Sequence, residues 1–140
     1  MIDKDLIEAK FDLIETNLKF LEGFKKKTAK DLEGNYRDLQ AVKYSLLEIA
    51  EACIDIANHI IAAKGLERVE EYSKMFDVLA KNKIISEGLG RELAKMAKFR
   101  NILIHRYAEV KTEYLIRIIK FHLVDVIRFM KEIKKLLKSS

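Results

Sequence analysis

Apolar residues return every three or four positions along nearly the whole chain, which is the spacing of one face of an α-helix. Leu6, Leu13, Ile14, Leu18 and Leu21 mark a first helix over about residues 3–27, which fades into Lys25-Lys26-Lys27, charges that suit a helix C-terminus. Leu39, Val42, Leu46, Ile49, Cys53, Ile56 and Ile60 share one face of a long second helix over about 36–63, with Gly65 as its stop. Tyr72, Phe76 and Leu79 form the apolar edge of a short third helix that ends near Asn82. Ser86 and Glu87 open a fourth, which continues through Leu89, Leu93, Met96 and Phe99. A last helix is expected from Thr112 as its N-cap, with Tyr114, Leu115, Ile118, Ile119, Val126, Phe129, Met130 and Ile133 on one side.

Composition strengthens this picture. Proline is absent and glycine occurs five times, so helices can run uninterrupted while the punctuation for many tight turns is missing. The expected fold is all-α: an antiparallel four-helix bundle with one additional short helix, because short connections set consecutive helices side by side. At 140 residues one domain, 1–140, is expected, with no internal repeat.

The charge is unevenly placed. From Lys111 onward eight basic residues face three acidic ones, so the net +5 of the chain resides in its last segment. Such a helix can attract RNA or an acidic partner, or it can carry its lysines on a solvated face. Cys53 is alone and lies between apolar neighbours, which favours a buried packing role in a reducing compartment. No apolar run approaches the roughly 18–20 residues that cross a bilayer, and Met1-Ile2-Asp3-Lys4-Asp5 lacks the basic start of an export signal. A cytoplasmic protein with no membrane contact is expected.

The chemistry is concentrated in Arg100-Asn101-Ile102-Leu103-Ile104-His105-Arg106-Tyr107. On a helix Leu89, Leu93, Met96, Arg100, Leu103 and Tyr107 would form one stripe, so Arg100 interrupts an apolar seam. A guanidinium stays charged when buried and needs an acid, a phosphate or water. Glu51 and Asp55 of the second helix are the candidate acids, and stitching two helices together is the plain structural alternative. His105 is rotated roughly 140° from Arg100 on a regular helix, so the two converge only if the helix frays or if two copies of the chain face each other. Ile102, Leu103 and Ile104 are apolar on every side of the helix and call for more than one covering neighbour, which favours a symmetric dimer. A histidine can move a proton at a ribose 2′-hydroxyl or a leaving oxygen, and an arginine can stabilise charge on phosphate, so RNA cleavage there would need neither metal nor cofactor.

Two other histidines carry weaker signals. Asp55 and His59 lie one turn apart without a third ligand nearby, and His122, between Ile118 and Val126, is expected in the core. No glycine-rich phosphate loop or zinc-type Cys/His spacing occurs.

The segment Met96–Tyr107 resembles the R-x4-H-x-Y signature of HepT-like toxins in the HEPN group of helical ribonucleases. The likeness extends to Asp55-Ile56-Ala57-Asn58-His59-Ile60-Ile61 and to Tyr72, Phe76 and Leu79. It implies a dimerising helical bundle with Arg100 and His105 of each subunit in a composite ribonuclease site, and Asn101 helping to orient it. It also implies an MNT-type nucleotidyltransferase antitoxin that silences the toxin by AMPylation of Tyr107. Arg106 departs from the acidic residue that many relatives carry there. The competing expectation is a non-catalytic HEPN module that binds a nucleotide or serves as the helical partner of a nucleotidyltransferase.

Overall fold

The computed structural model describes residues 1–139. Their helices are α1 (Lys4–Glu22), α2 (Ala29–Glu33), α3 (Tyr36–Ala63), α4 (Tyr72–Lys81), α5 (Glu87–His105), α6 (Thr112–Phe121) and α7 (Leu123–Ser139), with a 3₁₀ turn at Tyr107–Glu109. No strand occurs among the described residues, so the fold is all-α.

Side-chain caps account for most helix starts. Asp3, Thr28, Asn35 and Ser86 each accept from a backbone N–H in the first turn of α1, α2, α3 and α5, satisfying a donor that has no partner within the helix. The ends are equally local. After α3, Leu66 N–H bonds to Ile61 O at 2.9 Å and Gly65 takes φ +64°, the left-handed stop expected of that glycine. After α4, Ile84 N–H bonds to Leu79 O at 2.9 Å in the same way, but here Lys83 occupies the left-handed position with φ 59°.

Three details differ from the sequence expectation. The first helix stops at Glu22, and hydrogen-bonded turns carry the chain to α2, whose Thr28 and Asp31 form a reciprocal capping box. The last helix divides at His122. Thr112 is the buried first residue of α6 instead of its N-cap, a position Lys111 fills without a side-chain bond.

The central element is α3, which packs against α1, α4 and α5 and touches α2 and α6, while α7 closes against α5 and α1. A continuous cluster of buried apolar side chains joins them, with Phe76 of α4 edge-on to Phe129 of α7 at 5.9 Å. Cys53 is fully buried in it, and burial pushes its thiol well up, so it behaves as a packing residue. Gly90 lets α5 approach α4: a Cβ there would meet Ala80 Cβ at 2.9 Å and Phe76 O at 3.3 Å. Between α1 and α3 a polar link is buried: Ser45 Oγ donates to Asn17 Oδ1 at 2.6 Å, and Asn17 Nδ2 donates to Leu13 O and Glu48 Oε1. The close approach at Gly90 and the shared apolar cluster hold α5, which carries the arginine and histidine of the motif, against α4 and α3.

Candidate functional site

Arg100 lies on the inner side of α5, its side chain 18% exposed, and its guanidinium touches groups from three places. Nη2 is 3.6 Å from Glu51 Oε2 of α3, Nη1 donates to Asn101 Oδ1 at 3.2 Å, and the guanidinium carbon stands 5.0 Å from the centre of the Tyr72 ring at the start of α4. The guanidinium is therefore placed over an aromatic ring, paired and oriented, and among the described residues the carboxylate paired with it is nearly half exposed. Nε is buried with no acceptor among the described residues. The guanidinium carries five N–H donors, more than Glu51 and Asn101 take up, and its fork suits the oxygens of a phosphate.

Of the two acids expected near Arg100, Glu51 is the one beside it. Asp55, one turn further along α3, faces α1 and pairs with Lys10 Nζ at 2.9 Å. His59, a second turn on, accepts from Asp3 N–H at 2.8 Å through Nε2. These two residues fasten the start of α1 to α3, and each has a protein partner there.

His105 is the last residue of α5 and is exposed. The helix is regular up to it, so the rotation of roughly 140° from Arg100 persists and the two side chains leave one protomer in different directions. Of the apolar residues between them Leu103 is buried and Ile104 is 43% exposed. Asn101, beside Arg100, is exposed as well.

Tyr107 departs from the stripe that helical continuation would have placed it on. The helix ends because Arg106 leaves helical geometry at φ −139° and ψ 47°, while its N–H still bonds to Ile102 O at 2.8 Å and its carbonyl accepts from Glu109 N–H. Tyr107 thus sits in a 3₁₀ turn, half-buried. Arg106 turns to Glu109 at 3.8 Å on the surface.

Lys43 of α3 holds that turn. Its ammonium donates to Tyr107 O at 3.1 Å and lies 4.5 Å from the centre of the Tyr107 ring, and the residue is only 5% exposed. Burial pushes the Tyr107 phenol above its ordinary range, and the neighbouring Tyr36 acts in the same direction. The spacing of apolar residues gives Lys43 and Tyr36 no role and places Tyr72 only on the apolar edge of the third helix. For Lys43 a signal exists, since it stands four residues after Leu39 and three before Leu46 on an apolar face where a lysine needs a partner.

His122 is not a core residue. It caps α6 where the chain breaks, its side chain is 43% exposed, and Nδ1 stands 3.3 Å from Asp125 Oδ2. The imidazole needs a polar partner, and the break supplies one by bringing the first turn of α7 alongside.

Among the described residues no helix is long and apolar enough to cross a membrane.

Comparison with known proteins bears on this constellation. The chain is 36% identical over 94 residues to the mRNA nuclease HepT of Shewanella oneidensis, covering 67% of this chain and 71% of that protein. It is 24% identical over 136 residues to the tRNA nuclease HepT of Aphanizomenon flos-aquae, covering 97% and 92%. Among solved structures, the tri-AMPylated Shewanella oneidensis HEPN toxin in complex with MNT antitoxin superposes with a TM-score of 0.85 at 30% identity, over 94% of this chain and 98% of that one. The fold is also that of the cytosolic protein YutE of Bacillus subtilis, with a TM-score of 0.87 at 22% identity over 99% and 92%. A family profile described as Ribonuclease HepT-like matches residues 14–133, the span from α1 to the last turns of α7 that holds Glu51, Arg100, His105 and Tyr107, and the chain belongs to that family.

Proposed function

We propose that this chain is the toxin of a HEPN/MNT toxin–antitoxin pair: a cytoplasmic, metal-independent endoribonuclease that works as a homodimer and is silenced by AMPylation of Tyr107. The observation that carries this reading is the state of α5. Arg100 is braced by Glu51, Asn101 and Tyr72 with donor capacity left over, while His105 is exposed on another side of the same helix. One protomer does not bring the two together, and a second copy across a two-fold axis does. The exposed Ile104 beside them gives such an interface an apolar contact.

The chemistry then needs only these side chains. One His105 takes the proton of a ribose 2′-hydroxyl as its oxygen bonds to phosphorus. The bond from phosphorus to the 5′-oxygen breaks, and the protonated His105 of the second copy delivers a proton to that oxygen. Arg100 donates to the non-bridging oxygens, where charge builds in the transition state. The products are a 2′,3′-cyclic phosphate and a 5′-hydroxyl. Asn101 directs the guanidinium, and Glu51 and Asp55 act as supports on α3.

Silencing follows from the same geometry. An AMP on the Tyr107 hydroxyl sets a phosphate and a nucleoside two residues from His105, where they compete with RNA for the cationic groups. The solved relative in its AMPylated complex with an MNT antitoxin supports this part of the reading.

The test is cleavage of RNA by the purified protein in chelator, below its unfolding temperature, with His105→Ala alongside. Fragments ending in cyclic phosphate from the native chain and none from His105→Ala are expected. Equal cleavage by both, or RNA binding without turnover by the native chain, overturns the assignment, and the second outcome is that of a non-catalytic HEPN module. Mass spectrometry of the protein produced with its transferase tests Tyr107, since Tyr107→Phe should lose an AMP adduct.

A further inference from the structure

A second group of polar side chains lies two helical turns before Arg100 on α5. Glu92 of α5, His122 at the end of α6 and Asp125 in the first turn of α7 each place one ligand atom within 4.8 Å of the other two. The break between α6 and α7 creates this meeting: His122 N–H still bonds to Ile118 O, and its carbonyl accepts from Asp125 N–H at 3.1 Å, so the chain turns tightly and brings Asp125 back beside the imidazole.

The electrostatics of the cluster are incomplete. Two carboxylates this close repel one another. The cation at Glu92 is Lys95, 3.1 Å away but 73% exposed, so that pair holds weakly and opens at little cost. Asp125, only 14% exposed, has the imidazole at 3.3 Å and neutralises it only when that ring is protonated. Arg117 of α6 is among the residues that line the adjoining cavity. All three candidate ligands line a cavity of about 210 Å³ whose other walls include Leu46, Met96, Phe99 and Tyr114.

We propose that Glu92, His122 and Asp125 bind a divalent transition-metal ion of the zinc class. A dication at their centre neutralises both carboxylates at once and leaves Lys95 free to swing into solvent. An imidazole with two carboxylates suits zinc, cobalt or nickel, whereas calcium takes roughly six to eight oxygen ligands and magnesium prefers carboxylate and water oxygens, so neither makes use of the imidazole. Three protein ligands leave a fourth position, which the cavity has room to fill with water. Glu92 precedes Arg100 by eight residues, about 12 Å along the helix, so the ion stands apart from the groups proposed for RNA cleavage. Its role is to staple α5 to the α6–α7 junction, stabilising the folded chain by mass action.

The experiment uses the full-length protein stripped with chelator and then freed of it. Cobalt(II) is followed by its visible absorption, zinc(II) by calorimetry, and the melting temperature is recorded with and without zinc. One ion per chain is expected, with a higher melting temperature in its presence. His122→Ala and Asp125→Asn should weaken binding beyond the ~10- to 100-fold that loss of an outer-shell partner costs. His59→Ala should bind as the native chain does. If His122→Ala does not fold, as judged by circular dichroism, Glu92→Gln, at a half-buried position, gives the same reading. A native chain without cobalt bands and without a zinc-dependent shift in melting overturns the proposal. So does binding that survives His122→Ala or Glu92→Gln, or that His59→Ala abolishes.

Discussion

The ammonium of Lys43 is bonded to the carbonyl of Tyr107 at 3.1 Å and lies 4.5 Å from the centre of the same residue's ring, so one buried side chain of α3 fixes both the backbone and the aromatic plane of the turn after α5. Lys43→Met keeps the apolar stem and removes the donor, leaving the carbonyl without its charged partner. Stability should fall by about 1–2 kcal/mol in urea unfolding. The amides of residues 107–109 should exchange faster by more than the global loss explains, and unchanged local protection would show that the turn does not depend on Lys43.

Tyr107 should titrate late. Its folded-state value is raised, by burial first and by Tyr36 second, so folding favours the protonated phenol. Its share of stability is whole below the ordinary value of 10.0 and is lost as pH rises from there through the folded value, because the unfolded chain gives up the proton first. In an absorbance titration at alkaline pH, the step missing from Tyr107→Phe should lie above the ordinary tyrosine range. A missing step at or below that range would contradict it. At neutral pH the hydroxyl is protonated, so a transferase that modifies it has to bring the base.

Arg100→Lys separates charge from shape. A lysine carries the charge but lacks the planar fork that meets Glu51 and Asn101 together beside the Tyr72 ring. Cleavage of RNA should drop at least ~10-fold, since the donors that meet the developing charge are no longer held in place. Stability should fall by no more than about 1 kcal/mol, because the ion pair with Glu51 is partly exposed. Steady-state kinetics beside a denaturation curve checks both, and retained activity would reduce Arg100 to a bulk cation.

Lys83 is strained where a glycine would not be. It stands at φ 59° just after α4, a conformation that costs a residue with a Cβ about 1–2 kcal/mol. Lys83→Gly should raise stability by about 0.5–1 kcal/mol once the greater freedom of glycine in the unfolded chain is subtracted. The midpoint of urea unfolding measures it, and a fall would mean that the lysine side chain contributes more than its backbone costs.

The course of the chain through its helices is written in local rules. The three-and-four spacing, the caps at Asn35 and Ser86 and the stop at Gly65 act over a few residues, so they could be read without knowing what packs where. The same holds for the presence of Arg100, His105 and Tyr107 within one short segment. What folding alone decided is everything that depends on a neighbour distant in sequence. It chose Glu51 over Asp55 for Arg100, because α1 occupies the other side of α3 and claims Asp55 through Lys10. It drew Lys43 under Tyr107 from 64 residues away. It broke the last helix at His122, where an unbroken apolar stripe read as one rod, and it brought α5 close enough to α4 for Gly90 to matter. Periodicity records which side of a helix avoids water, and carries no information about which other helix will cover it.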